Sequence, residues 1–350
     1  MSGIREGEIR VTAFLAGDTV QRVSITADRP LSLASRMAGR PVAFVADAVA
    51  ALHGLCGQSH AAAVHFAAAA ARGITLPVAE TGRWAQRLAG ERLAEHLRHL
   101  IMDRDPDARS AENLADMRAA IAAGQAAARS KTVHPDALSR LAGVLGEDFL
   151  SRASSAALPQ GADDGPAATM MEGRGRCAGP VDVLSPGDDE AVVAALAADI
   201  GFIRIPQLPG RVPETGPAAR RGVTAVKPEA AAAARVAEVR DAAARLLNPI
   251  SCTPDGWITA GPAGPNAGYA AVETPRGRLY YRLVIGDGGQ VLDARVLAPT
   301  EWNFHPAGPL VRALTGFRPG AAAVAAITRR AAAFDSCVGL RVAVESAADA

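Results

Sequence analysis

The chain has 350 residues, 49% of them apolar, with 37 Lys and Arg set against 36 Asp and Glu. That length can bury a sizeable core in one large or two medium domains. The scattered, balanced charge and the 4% aromatic content argue against a nucleic-acid partner. Residues 1–6 lack the basic-then-apolar pattern of a secretory signal, and Asp47, His53 and His65 interrupt the alanine-rich stretches. A soluble, cytoplasmic protein with no membrane span is therefore expected.

Between residues 7 and 27 Ile9, Val11, Ala13 and Leu15 alternate, Gly17 and Asp18 supply a turn, and Val20, Val23 and Ile25 return, which predicts a β-hairpin. A helical region runs from Pro41 to about residue 71 and carries His53, Cys56 and His60. Spacings of three and four put these side chains on one face if the helix is continuous. Gly54 and Gly57 make a break or a close backbone approach equally open. The clearest amphipathic helix covers 77–102, with Trp84, Leu88, Leu93, Leu97, Leu100 and Ile101 repeating at helical intervals. His96 and His99 lie beside that stripe and are expected to be partly buried or solvent-facing. Helices at 111–128 and 136–150 follow, the first so alanine-rich that propensity alone supports it.

From 151 to 190 the composition turns to Ser, Gly, Pro and Asp, which predicts an irregular linker between a region 1–150 and a region 191–350. A short helix at 188–198 follows, then a Pro/Gly-rich loop at 206–222 and a helix at 228–247. A second hairpin is expected at 277–297 around Gly286-Asp287-Gly288-Gly289, and a helix at 319–334 ending near Asp335-Ser336-Cys337. The four cysteines, Cys56, Cys177, Cys252 and Cys337, are far apart and form no CxxC pair, which fits a reducing compartment. An isolated cysteine is most often a small buried apolar residue.

Six segments, in order along the chain, carry a resemblance. His53-Gly54-Leu55-Cys56-Gly57-Gln58-Ser59-His60 resembles the C-G-x-C-x-x-x-H motif of nickel-iron hydrogenase large subunits, with His53 at the first cysteine. Asp335-Ser336-Cys337-Val338-Gly339-Leu340-Arg341-Val342-Ala343 resembles D-P-C-x-x-C-x-x-H, with Leu340 at the second cysteine and Ala343 at the histidine. Glu6-Gly7 before Ile9-Arg10-Val11 is similar to R-I-E-G-H-L-R-I, and Pro213 to Arg220 to E-V-G-P-L-A-R. Glu273-Thr274-Pro275-Arg276-Gly277 is similar to E-A-P-R-G, and Pro299-Thr300-Glu301-Trp302-Asn303 to P-T-T-W-N.

The resemblance implies a mainly α (α+β) fold, a large-subunit-like helical bundle with small antiparallel hairpins near both termini. The 1–150 region, with the first Cys/His motif, packs there on 191–350, with the Pro-Arg-Gly and second Cys motifs, to form one site. It implies that Cys56 sits at a position bridging nickel and iron, and that Cys337 and His53 sit at nickel-terminal positions. Arg276, flanked by Pro275 and Thr274, stands beside the iron's cyanides, where a guanidinium hydrogen-bonds an anionic fragment. His60 and Asp335 occupy motif positions near the ligands, His60 as a hydrogen-bond donor to the bridging thiolate, and Glu6 aligns with a proton-passing glutamate or is a surface carboxylate. Two thiolates with one or two imidazoles suit transient holding of an Fe(CN)2CO fragment, and nickel is not expected. With no long tail after Ala343, proteolytic processing is not expected either. These features are similar to HupK-type accessory proteins, non-catalytic maturation factors, with a HypC-type chaperone and the hydrogenase large-subunit precursor as expected partners. A metal-free chaperone or tether, and a hydrogenase with altered ligands, are the alternatives.

Overall fold

The computed structural model describes residues 7–29, 33–102, 111–129, 181–247 and 254–347. Glu6, Cys177, Cys252, the helix expected at 136–150 and most of the expected linker lie outside the described residues.

The N-terminal hairpin is β1 (Glu8–Ala16) and β2 (Thr19–Asp28), joined through Gly17 at φ 62°. Ile9, Val11 and Ala13 alternate onto one buried face, as period two requires. A strand that alternation had not disclosed, β7 (Gly339–Ser346), runs parallel to β1, with Glu8 opposite Gly339 and Leu15 opposite Ser346. The sheet order β2-β1-β7 thus joins the two ends of the sequence, and Cys337 lies two residues before β7.

The helical region after Pro41 is two helices, α1 (Val42–Leu52) and α2 (Gly57–Ala71), broken at residues 53–56. Next come α3 (Val78–Met102) and α4 (Ala111–Arg129), then α5 (Asp189–Ala198), α6 (Pro217–Arg220) and α7 (Pro228–Leu247). After the second sheet follow α8 (Pro299–Asn303), α9 (Pro309–Leu314) and α10 (Ala323–Ala333). Helix α3 packs on α4 and α7. It meets α4 at glycines: a β-carbon on Gly90 would sit 2.6 Å from the Gly124 carbonyl oxygen, so only glycine permits the approach. Leu93, Leu97 and Leu100 of α3 are fully buried, contributing about 1.5–3 kcal/mol each.

The second sheet is antiparallel, in the order β3 (Ile258–Pro262), β4 (Ala267–Thr274), β5 (Gly277–Ile285) and β6 (Val291–Leu297). Only β5 and β6 show the expected strand pattern. The sequence of β4, AGYAAVET, is poor in β-branched residues, because α2 lies directly on it. A β-carbon on Gly268 would fall 2.3 Å from the Ala67 carbonyl oxygen. The fold is mixed α+β, with more sheet than a predominantly helical reading allows: β3, β4 and β7 all add to it. Among the described residues no helix is long and apolar enough to cross a membrane.

Candidate metal-handling site

The break between α1 and α2 creates the first half of the site. His53 caps the end of α1, its backbone N–H donating to the Val49 carbonyl at 3.0 Å, and Cys56 is the residue before α2. A β-carbon on Gly57 would lie 2.3 Å from the Ala50 carbonyl oxygen, so glycine lets the two helices touch here. The first N–H groups of α2 have no helical acceptor, and Glu91 of α3 supplies one. Its carboxylate accepts from Gln58 N at 2.6 Å, from Ser59 N at 3.1 Å, and from the Ser59 hydroxyl. Burial pushes Glu91 up to about 7 in spite of those bonds. At Cys56 burial likewise pushes the thiol well up, while Arg276 pulls it down; Glu91, Cys337 and Glu95 add to the upward push.

His53 and His60 do not share the face of one helix, yet their rings stack at 3.6 Å across the break. His53 Nδ1 lies 2.9 Å from the Val49 carbonyl oxygen and must carry the proton, which leaves Nε2 a lone pair. His60 Nδ1 lies 2.6 Å from the Tyr281 hydroxyl on β5. Burial holds both imidazoles below their ordinary range, His60 further than His53. His53 also lines an open cavity of about 320 Å³ with Gly54, Gln58, Glu91, Glu95 and Arg129.

The second half comes from the turn between β4 and β5. Thr274 pairs with Gly277, leaving Pro275 and Arg276 as a two-residue loop. Gly277 has φ 134°, and a β-carbon there would sit 2.6 Å from Thr215 Oγ1. Arg276 N donates to Thr274 Oγ1 at 3.0 Å, which closes the turn. Only 2% of Arg276 is exposed. Its Nη2 donates to Glu95 at 3.2 Å and its Nε lies 3.3 Å from Asp335 Oδ1, while Nη1 is buried with no hydrogen-bond partner. Desolvation works against its charge, but Asp335, Cys56, Glu95 and Cys337 together hold it more firmly protonated than usual.

Asp335 follows the end of α10 in a left-handed conformation, φ 52°, which Asp tolerates better than most residues. Its Oδ1 lies 3.3 Å from His99 Nδ1, and its Oδ2 is 4.0 Å from Arg235. Burial works to raise this carboxyl, but Arg276, His99 and Arg235 hold it well below the usual carboxylate range. Two residues on, Cys337 Sγ accepts from Arg29 Nη1 at 3.2 Å and from the Thr300 hydroxyl at 3.4 Å. Asn303 stitches the neighbouring segments together: its amide bonds both backbone groups of Thr215 at 3.0 and 2.8 Å and reaches the Phe334 carbonyl at 3.4 Å.

Behind this lies a buried ionic chain. Arg278 is bidentate to Asp189 and donates to Glu273 at 2.8 Å; Arg220 joins Glu273 to Glu238; Glu238 lies 2.7 Å from His96. His96 and His99 are therefore neither solvent-facing nor incidental. Both are buried, 0% and 8% exposed, and each meets a carboxylate. With Glu91, Arg92 and Glu95 they form a polar stripe at helical spacing on α3. That stripe looks like a solvated face in sequence, because period alone cannot tell water from a polar interior.

The structure thus brings Cys56, Cys337, Arg276, Thr274 and Asp335 into one electrostatic neighbourhood and stacks His53 and His60 at its edge. Leu340 points away from any ligand role: it pairs with Ile9 in the sheet and packs against the apolar cluster of β1, β7 and α10. Arg29, Glu91, Glu95 and His99 are the neighbours that motif reasoning missed, and Thr300 lies in a motif segment to which it gave no site role. Among the described residues no three His, Cys, Asp or Glu side chains converge as a metal-ion site.

The fold is that of the nickel-iron hydrogenase large subunit. The likeness covers 92% of this chain and 94% of the other in two solved structures, each 14% identical in sequence. These are the Ni-Fe-Se hydrogenase from D. vulgaris Hildenborough in the reduced state, TM-score 0.65, and an NAD+-reducing [NiFe]-hydrogenase in the H2-reduced state, TM-score 0.63. No family profile matches the sequence. The chain belongs to the HupK family of hydrogenase expression/formation proteins: it is 34% identical to the Rhizobium leguminosarum bv. viciae member over 98% of both chains, and 32% identical to that of Bradyrhizobium diazoefficiens over 95% of both.

Proposed function

We propose that this protein is a non-catalytic, cytoplasmic maturation factor for nickel-iron hydrogenase. It holds the Fe(CN)2CO fragment as cargo between Cys56 and Cys337 and passes it to the large-subunit precursor, having received it from a HypC-type chaperone. The observation that carries this reading is Arg276: a buried guanidinium within electrostatic reach of both cysteines, with Nη1 lacking a hydrogen-bond partner. An unsatisfied buried donor is costly, and an anionic ligand rich in acceptor atoms satisfies it.

The donor set fits such a cargo. A bare divalent ion needs three or four protein ligands, and these residues supply two thiols. An iron that already carries three diatomic ligands needs few more from the protein. Fewer protein bonds also mean easier release, which suits a carrier. With Leu340 at the fourth thiolate position, the bimetallic centre has no complete ligand set, which favours an accessory role for this relative of the large subunit. His60, bonded to Tyr281, and Asp335, bonded to His99, orient the walls of the site.

Infrared spectroscopy on protein purified without oxygen tests the proposal. Cyanide and carbonyl stretches are expected in the wild type and absent after Cys56→Ser or Cys337→Ser, with hydrogenase maturation lost in the same variants. Absent bands combined with unimpaired maturation in both variants would instead establish a metal-free tether. Stoichiometric nickel with hydrogen turnover would establish an enzyme.

A further inference from the structure

Cys337 has a neighbour drawn from outside its own motif. Arg29 follows β2, 308 residues earlier, and its Nη1 donates to Cys337 Sγ at 3.2 Å. On its far side the same guanidinium pairs through Nη2 with the Glu301 carboxylate; both side chains are buried, 7% and 8% exposed. Glu301 is where Pro299-Thr300-Glu301-Trp302-Asn303 departs from the P-T-T-W-N pattern it resembles. This chain therefore carries a buried carboxylate where the pattern has a hydroxyl, and that carboxylate is matched with a cation whose positive end faces the sulfur. Burying such a pair carries a desolvation cost that a neutral pair of similar volume would avoid.

A guanidinium keeps its charge at all working pH values. A bare divalent cation approaching Cys337 Sγ meets the Arg29 guanidinium, the charged group in direct contact with the sulfur. Glu301 offsets part of that charge, but it is the guanidinium end of the pair that contacts the sulfur, so a like charge a few ångströms away still repels the ion. An anionic fragment is attracted by the same guanidinium. Cellular zinc and nickel favour thiolate ligands, and water can complete their coordination at a two-thiol site, so a carrier with such a pair benefits from a means of refusing them.

We propose that Arg29, oriented by Glu301, is a selectivity residue that bars bare divalent cations from the thiol pair while admitting an anionic iron fragment. This rests on the reading of Cys56 and Cys337 as a ligand pair, but it is a statement about the cargo-free chain and is tested there.

The test is titration of reduced, full-length, cargo-free protein with Co²⁺, read by the thiolate-to-cobalt charge-transfer band. Wild type is expected to show no band at one equivalent. The double variant Arg29→Met/Glu301→Thr removes the pair without stranding the carboxylate; it is expected to bind Co²⁺ roughly tenfold or more tightly. The new band should vanish when Cys337→Ser is added, and Arg29→Lys, which keeps the charge, should behave as wild type. A band in the wild type at one equivalent, or a folded double variant binding no better, overturns the proposal. If the double variant does not fold by circular dichroism, Arg29→Gln/Glu301→Gln, closer in shape, decides by the same readout. Infrared bands with unchanged cobalt binding would refute the role of Arg29 alone; tightened cobalt binding without infrared bands in the wild type would refute the cargo alone.

Discussion

Cys56 is placed by backbone packing, between the end of α1 and the first turn of α2, where Gly57 touches Ala50 and Glu91 caps the helix. Cys337 is placed by side chains: it sits on the loop between α10 and β7 and accepts from Arg29 and Thr300. The first cysteine is thus bound up with the stability of the fold, and the second with the chemistry of its immediate neighbours. Substitutions near Cys56 should act on folding, and those near Cys337 on what the sulfur binds.

The support common to both ends gives the largest expected effect. Arg278 is 1% exposed and neutralises Asp189 and Glu273. Arg278→Met should lower stability by about 4 kcal/mol, because buried Asp189 loses its guanidinium partner and Glu273 is left with Arg220; equilibrium urea unfolding measures it. Gly57→Ala comes next, at about 3 kcal/mol in the same measurement, since its β-carbon cannot fit unless α1 and α2 separate. An equal loss from an alanine at the exposed Gly54, where a β-carbon meets nothing within 4 Å, would show that packing at Gly57 is not the cause.

A pH dependence sharpens the comparison further. Glu91 titrates at about 7 in the folded protein, raised from 4.5. Between those values the unfolded chain has lost the proton that the folded chain keeps, so stability falls as pH rises through this window, by about 2–3 kcal/mol. Glu91→Gln should remove that slope; urea midpoints at pH 5 and pH 8, compared with wild type, show whether it does. The smallest effect belongs to the Cys337 end: Thr300→Val removes one hydroxyl donor to sulfur and should cost about 1 kcal/mol. A Thr300→Val loss as large as that of Gly57→Ala would erase the distinction between the two cysteines.

Much of the fold was legible from local pattern. The first hairpin, α3 and the β5–β6 hairpin display their own period, and the alanine-rich composition of α4 and α7 favours helix by propensity alone. What stayed hidden was non-local. β4 is alanine- and glycine-rich because α2 rests on it, and β7 has only a parallel partner more than three hundred residues away, so neither advertises itself. At the site, the spacing of Cys56 and the motif around Cys337 were visible in sequence, whereas Arg29, Glu91 and Glu95 were not, since nothing local connects them to a cysteine. His96 and His99 were misjudged for a related reason: a polar stripe opposite leucines normally faces water, and here it faces Glu238 and Asp335.

By itself the sequence determined which side chains are available: two cysteines, a leucine and a histidine at motif positions, and an arginine in a tight turn. Tertiary structure alone decided what surrounds each of them. Covalent order sets a residue's chemistry and its local period, while the field at a buried atom is summed over neighbours from every part of the chain. That is why a guanidinium from the N-terminal hairpin, unremarked in sequence, faces the sulfur of Cys337.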